Sequence, residues 1–391
     1  MYSGKYVFSQ VLSFVDKYEF NKCVKRYNGN KHNRGFDCWN QFVQLLFGQL
    51  ASLNSLRSIS TCLKAHSHQL CHLGINKWVD SSVLSRANES RNSQIFADFV
   101  TYLMSLVRPL YANSSIPKID IENEIYALDS TSISVSINLC TWAEGKYSRG
   151  AVKMHTLLNL RGCITEFILI TDGKWHDSNA LDVIPFYANA IYLMNKAYVD
   201  FEALFRINNA AAFFVTRAKT SMQYRVIEQN FNIDQNTELR TDKIVELTVA
   251  KSKKLYPQRL RLVEFYDSQN DNLLVFLTNN FDVSAFEVAN LYKNRWQIEV
   301  FFKWLKQNLT VKKFWGYSEN AVKTHLWMAV CSHLLVAYIK QMVKSQLSIH
   351  EIMQILGTSL FDKTPIRELL TENTDFQVMK NQNVKEQLSL F

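Results

Sequence analysis

The chain has 391 residues, of which 47% are hydrophobic and 20% charged, with only five prolines and a net charge of +9. That composition excludes a disordered segment and supplies enough apolar residues for two or three packed domains. Residues 1–118 hold 14 basic and 6 acidic side chains, so almost all of the excess charge lies in the first third; both a nucleic-acid-facing module and a solvated basic surface would show this asymmetry.

In chain order, the N-terminal stretch MYSGKYVFSQVLSF lacks the pattern of a secretory leader, and the seven scattered cysteines are odd in number. Both points lead us to expect reduced thiols and a cytoplasmic location. Residues 1–115 read as helical: Phe42, Leu45, Leu46, Gln49 and Leu50 keep helical spacing, and NSQIFADFVTYLMSLV repeats it before Pro109. The turn-rich RPLYANSSIPKIDIENE marks a domain boundary. From Glu124 the rhythm changes to strands. EIYALDSTSISVSI, VKMHTLLNL and ITEFILITDG suggest an antiparallel meander. SNALDVIPFYANA then reads as a helix, IYLM as a strand, FEALFRINNA as a helix and AAFFVTRAK as a strand. This β-β-β-α-β-α-β order is the ribonuclease-H-like one, an α/β fold whose mixed sheet is flanked by helices. It spans residues 120–221.

Residues 222–281 read as an antiparallel β insertion. In 282–345, SAFEVANLYKNRWQIEVFFKWLKQNL is expected to form one long helix capped by Ser284, followed by a second long helix. The apolar run LWMAVCSHLLVAYI within the second is short for a membrane span and reads as a core helix; no membrane partner is expected. Residues 346–391 form a C-terminal helical segment with a polar tail.

Two features carry chemistry. Asp129 follows the apolar IYAL within a strand, where a carboxylate is costly without a partner or a metal, although a local turn at a strand end would also hold it. On the long helix, Tyr292, Arg295, Glu299 and Lys306 are spaced by three, four and seven residues, which keeps them on one stripe. Such a stripe faces either solvent or a site.

These residues carry a resemblance. YALDSTSISVSI and the pattern Y-x₂-R-x₃-E-x₆-K on Tyr292, Arg295, Glu299 and Lys306 resemble insertion-sequence transposases of the IS-four family. GAVKMHTLL, ILITDGKWHDSNALDVIP, YVDFEALFRIN, AAFFVTRAK and the leader segment LSRANESRNSQIF extend the likeness over nearly the whole chain. The resemblance implies a DDE centre in which Asp129 bridges two Mg²⁺ ions, with Mn²⁺ able to substitute, and Glu299 completes one ion's shell. Tyr292, Arg295 and Lys306 would hold phosphates. It also implies double-stranded DNA as partner, both transposon ends and target, and a homodimer in the synaptic complex.

Where the family has its second Asp, immediately after IYLM, this chain has Asn195, which by position the resemblance groups with Asp129 and Glu299 as catalytic and metal-binding. An amide keeps an oxygen donor but loses a charge. Two readings therefore stand: an active DNA transposase, and a catalytically inactive copy that only binds DNA. Asp200, five residues on, reads as a helix cap. Lys153 and Arg217 are further phosphate contacts; Lys22, Lys25 and Arg26 represent the basic N-terminal domain expected to bind the ends. CLKAHSHQLCH, with Cys62, His66, His68, Cys71 and His72, fits no standard zinc spacing and reads as a helix end. His155, His176 and Asp177 read as loop or supporting residues.

Overall fold

The computed structural model describes residues 4–31, 35–136, 138, 140–143, 145, 150–230, 238–308 and 314–371. It divides into two compact units, residues 1–110 with 304–391 and residues 111–303.

The first unit is helical. It begins with α1 (Val7–Leu12), α2 (Lys17–Arg26), α3 (Cys38–Leu50), α4 (Leu56–Ala65), α5 (Ser81–Ser90) and α6 (Gln94–Tyr111). Short polar side chains start most of these: Asp16, Asp37, Ser55 and Asp80 each accept from backbone N–H groups of the first turn. α3 is buried on nearly every side, in keeping with its apolar sequence. Phe20, Phe42 and Phe99 form an aromatic cluster with ring centroids 4.8 to 5.6 Å apart.

The second unit is built on a nine-stranded sheet ordered β3-β2-β1-β4-β5-β9-β8-β7-β6. Its strands are β1 (Ile125–Val135), β2 (Gly150–Asn159), β3 (Ile164–Asp172), β4 (Ile191–Met194), β5 (Phe213–Arg217), β6 (Tyr224–Asn230), β7 (Leu239–Leu247), β8 (Leu260–Asp267) and β9 (Asn272–Thr278). β1, β2 and β3 form an antiparallel meander, and β4 and β5 run parallel to β1. That half, ordered 3-2-1-4-5, is the ribonuclease-H-like arrangement. The β-rich stretch expected as an insertion is antiparallel, and it continues the same sheet, because β9 pairs with β5 through Val215–Thr278 and Arg217–Phe276. Tyr126, Leu128, Tyr192, Met194, Leu204 and Phe214 belong to the buried core of this unit.

Three local expectations change. The segment expected as a helix after β3 is a short 3₁₀ turn, Asp177–Asp182; Pro185 follows, and it cannot continue a helix. α7 (Phe201–Asn209) forms as expected, and α8 (Ala250–Leu255) is added between β7 and β8. The expected single long helix is two, α9 (Ala285–Asn294) and α10 (Trp296–Asn308), separated at Arg295. There the Arg295 N–H donates to Tyr292 O and the Ile298 N–H to Arg295 O, the tighter i→i+3 pattern. Ser284 does cap α9, in a reciprocal box with Glu287.

α10 passes beyond Lys303, where the helical unit resumes. That unit ends with α11 (Glu319–Val343), α12 (Ile349–Ser359) and α13 (Ile366–Leu370). The sequence reading places α11 with the catalytic core; its packing against α3, α5, α12 and α13 puts it in the helical unit. A helix apolar all round needs neighbours on every side, and these supply them. By length and composition it is apolar enough to cross a membrane, and it is mostly buried within the protein.

Candidate active site

Two parallel strands bring the first two residues of the site together. β1 and β4 are in register up to Leu128 and Met194, so Asp129 and Asn195 are the next residues on adjacent strands. β4 ends there, while β1 runs on to Val135 against β2. Asp129 thus emerges where its parallel neighbour stops, at the strand ends where open α/β sheets bind ligands. Asn195 is half-buried and leads into the 3₁₀ turn Lys196–Tyr198 without its side chain capping that turn.

Arg295 joins the two acids. Its Nη1 donates to Asp129 Oδ2 at 2.9 Å and its Nη2 to Glu299 Oε1 at 2.6 Å. The tightened turn between α9 and α10 positions this side chain, which is 13% exposed. Tyr292 supports it from behind, with the guanidinium 5.5 Å from its ring and Phe276 of β9 packed 4.9 Å away. Burial draws the Arg295 guanidinium down, but hydrogen bonding to Glu299 and the charges around it leave it raised. At Asp129 burial wins: it lifts the carboxyl above the ordinary range, Glu299 and Asp177 add to the effect, and the Ser130 N–H and Arg295 oppose it.

Behind Asp129 lies a network that sequence reasoning left in a supporting role. Ser130 serves both carboxylates: its N–H donates to Asp129 Oδ1 and its Oγ to Asp177 Oδ1, each at 2.8 Å. Lys153 donates to Asp177 Oδ1 at 3.0 Å and to Trp175 O at 2.8 Å. The β1–β2 register, Ser130 opposite His155 and Ser132 opposite Lys153, brings these groups to one place. Asp177 is held below the ordinary carboxylate range because its bonds from Ser130 and Lys153 outweigh burial, which acts the other way and is the largest single effect. His155 is wholly buried, with Nε2 3.1 Å from Thr171 Oγ1, and burial lowers it to about 4, so it is neutral at pH 7. The adjacency of His176 and Asp177 in sequence is the available signal, but only the tertiary contacts show that Asp177 meets Ser130 and Lys153 while His176 stays exposed.

The other expected residues separate. Lys153 is buried against Asp177, which corrects its assignment as a phosphate contact. Arg217 lies half-buried at the end of β5, where its charge acts on Tyr292. Lys306 is half-buried on the part of α10 that belongs to the helical unit. Lys22 pairs with Glu19 at 2.6 Å, Arg26 pairs with Asp98, and Lys25 is exposed. Asp200 caps α7, accepting from the N–H groups of Glu202 and Ala203 at 3.0 and 3.1 Å. His66 stacks on Phe361 at 3.9 Å, and among the described residues no cluster of three His, Cys, Asp or Glu side chains could hold a metal.

The donors at the site suit a hard divalent cation in kind, since Asp129, Asn195 and Glu299 all offer oxygen. Asp129 and Glu299 already converge on one cation, the Arg295 guanidinium, so the two acids can share a positive charge.

With this geometry in place, the family match is informative. The family model described as "Transposase DDE domain" matches residues 121–335, more than half of the chain. The chain belongs to the DDE transposase family. Members of this family generally use divalent metal ions. A second family model, a domain of unknown function, matches residues 3–76. Relatives named as transposases include y4zB of Sinorhizobium fredii, 29% identical over 61% of this chain and 67% of its own length. Another, for the insertion sequence element IS5377 of Geobacillus stearothermophilus, is 26% identical over 71% of each chain. A third, for element IS4SA of Synechocystis sp., is 26% identical over 73% of this chain and 76% of its own. A solved piggyBac transposase synaptic complex with hairpin DNA aligns over 95% of this chain and 83% of its own, at 10% identity and a TM-score of 0.45.

Proposed function

We propose that this DDE transposase acts on the ends of an insertion sequence by cutting and joining phosphodiester bonds, with Asp129, Asn195 and Glu299 as its centre. The observation that carries the reading is the convergence of Asp129 and Glu299 on Arg295, on β1 beside the carboxyl end of β4. A divalent ion held by these oxygens would supply Lewis-acid activation of the attacking oxygen and stabilisation of the leaving one. The chain's own residues do the rest. Asp129, fixed by the Ser130 N–H, presents Oδ2 towards the site. Glu299 reaches in from α10. Arg295, with five donors in a planar fork, can leave the carboxylates for a DNA phosphate, which it binds in the same bidentate manner. Tyr292 keeps the guanidinium in place, and Arg217 adds positive charge at the neighbouring strand end. Double-stranded DNA is the partner, two copies of the chain would be needed to hold two ends together, and the cytoplasm is the expected compartment.

One observation favours a second reading, a copy that binds DNA without cutting it. Asn195 stands where the family's second acid falls, Asp200 is committed to capping α7, and Asp177 is committed to Lys153. No other carboxylate has taken over the position among the residues described around Asp129. The experiment is strand cleavage and joining on the element's own end DNA, with Mg²⁺ and with Mn²⁺, for this chain and for Asn195→Asp. Cleavage by both forms supports the first reading with the present donors. Cleavage only by Asn195→Asp supports the second. Absence of cleavage and of end binding in both forms would overturn the proposal.

A further inference from the structure

The helical unit contains a polar cavity of about 490 Å³ between the end of α2 and α5. Its lining includes Lys31, Arg86 and Arg91, the aromatics Tyr27 and Phe36, and, among the described residues, no Asp or Glu. Its walls are pinned. Asn28 adopts a left-handed backbone with φ of 51°, and Gly29 approaches so closely that a Cβ there would lie 2.5 Å from Ile95 Cδ1 and 2.8 Å from Cys38 Sγ. Asn30 Oδ1 accepts the Cys38 N–H at 2.8 Å, which ties the turn to the first residue of α3.

Arg91 forms the floor. Its Nη1 donates to Asp37 O at 3.0 Å and to Gln41 Oε1 at 2.9 Å, and its Nη2 donates to Phe36 O. Its guanidinium lies 5.2 Å from the Phe36 ring. All of these acceptors are neutral. The nearby Asp37 carboxylate is engaged with the Asn40 backbone and side-chain N–H groups, and no described carboxylate bonds Arg91. A half-buried cation hydrogen-bonded only to neutral oxygens has its charge only partly matched, by the Asp37 carboxylate acting through space, and burial dominates, which is costly. Arg86 and Lys31 are exposed at the rim, and neither has an ion pair among the described residues. Lys22 and Arg26, by contrast, already face carboxylates.

We infer that this cavity is a preformed phosphate site that receives a backbone phosphate of DNA, with Arg91 as the fixed cation and Arg86 and Lys31 closing over the oxygens. The inference rests on the DNA-acting reading above and gives a specific role to part of the region that matches a domain of unknown function. A phosphodiester matches the chemistry: one negative charge, several acceptor oxygens and a need for planar donors.

The test is duplex end-DNA binding by fluorescence anisotropy across a salt series. It compares the full chain, the double variant Lys31→Gln with Arg86→Gln, and a control of equal charge change, Lys251→Gln with Lys254→Gln, both exposed on α8. Circular dichroism checks that each variant is folded. The pocket variant should bind more weakly, and its slope of log affinity against log salt should be shallower by about 1 to 2 relative to the control. Equal slopes in the two variants would overturn the site while leaving DNA binding itself intact. A second arm titrates inorganic phosphate by calorimetry. Phosphate binding lost in the pocket variant, with DNA binding unmoved, would make the ligand a free phosphate and overturn the DNA assignment. If the unmodified chain fails to bind DNA at all, this inference and the reading it rests on fall together.

Discussion

At the scale of single residues, the proposed centre carries a charge deficit. Asp129 and Glu299 share the positive charge of Arg295, and the third oxygen donor in that proposal is the neutral amide of Asn195. Restoring a carboxylate should therefore strengthen divalent-ion binding. Calorimetric titration with Mn²⁺ is expected to show Asn195→Asp binding at least about tenfold more tightly, equivalent to ~1.4 kcal/mol; unchanged affinity would mean the residue at 195 is not a donor. Because burial raises the Asp129 carboxyl, its proton competes with metal at higher pH than for an ordinary carboxylate, so metal affinity should fall as pH is lowered through that raised value. The Lys153–Asp177 pair is mostly enclosed, with side chains 10% and 26% exposed, whereas Arg206–Asp182 lies at the surface. Asp177→Asn should cost about 2 kcal/mol in denaturant unfolding, because Lys153 loses its anion, and Asp182→Asn about 0.5 kcal/mol or less. Equal costs would show that the network does not stabilise the fold.

At the scale of elements, caps and close approaches set where helices begin and how they pack. Removing the reciprocal cap of α9 by Ser284→Ala should destabilise the protein by about 1 kcal/mol, measured by chemical denaturation. In α3, a Cβ at Gly48 would run into Ile59 of α4 and come within 3.2 Å of Trp315, so Gly48→Ala should lower the thermal midpoint despite its better helix propensity. α11 carries two buried histidines. Burial lowers His325 to about 3 and His333 to about 4, and His325 Nδ1 accepts the Trp315 N–H at 3.2 Å. Both are neutral in the folded chain and gain a proton on unfolding below about pH 6.5. The unfolded state then binds more protons, so stability is full above that pH and declines as pH falls towards 4. Thermal midpoints measured from pH 7 to pH 4 should drop, and His333→Leu should flatten part of the decline; a profile unaffected by this change would assign the acid sensitivity elsewhere.

At the scale of the whole molecule, two compact units carry different chemistry. The unit of residues 111–303 holds Asp129 on a nine-stranded sheet and Glu299 on α10, and the helical unit holds the cavity floored by Arg91. DNA affinity in the proposed function comes from cations and not from the metal-binding acids. Chelation with EDTA should therefore abolish any strand cleavage while leaving end binding, read by gel shift, within about twofold. A large loss of binding on chelation would mean that the metal centre itself anchors the DNA. The far edge of the sheet is β6, whose residues are largely exposed and include Arg225 and Glu228, charges that discourage edge-to-edge pairing with another sheet.

Local pattern by itself determined much of this. The β-rich run of β1, the apolar IYLM of β4 and the capping Asp200 and Ser284 were all legible, because composition and caps are properties of neighbouring residues. Resemblance supplied the DDE assignment and the expectation that Asn195 stands where the family has its second acid. Tertiary structure decided what depends on distant partners. It broke the expected long helix at Arg295, where the side chain reaches Asp129 on β1. It joined the supposed insertion to the main sheet through β5 and β9, and moved α11 into the helical unit. It also made Lys153 the buried partner of Asp177, because strand register, which no local pattern specifies, set Lys153 opposite Ser132 beside Ser130, and the turn after β3 carried Asp177 to both.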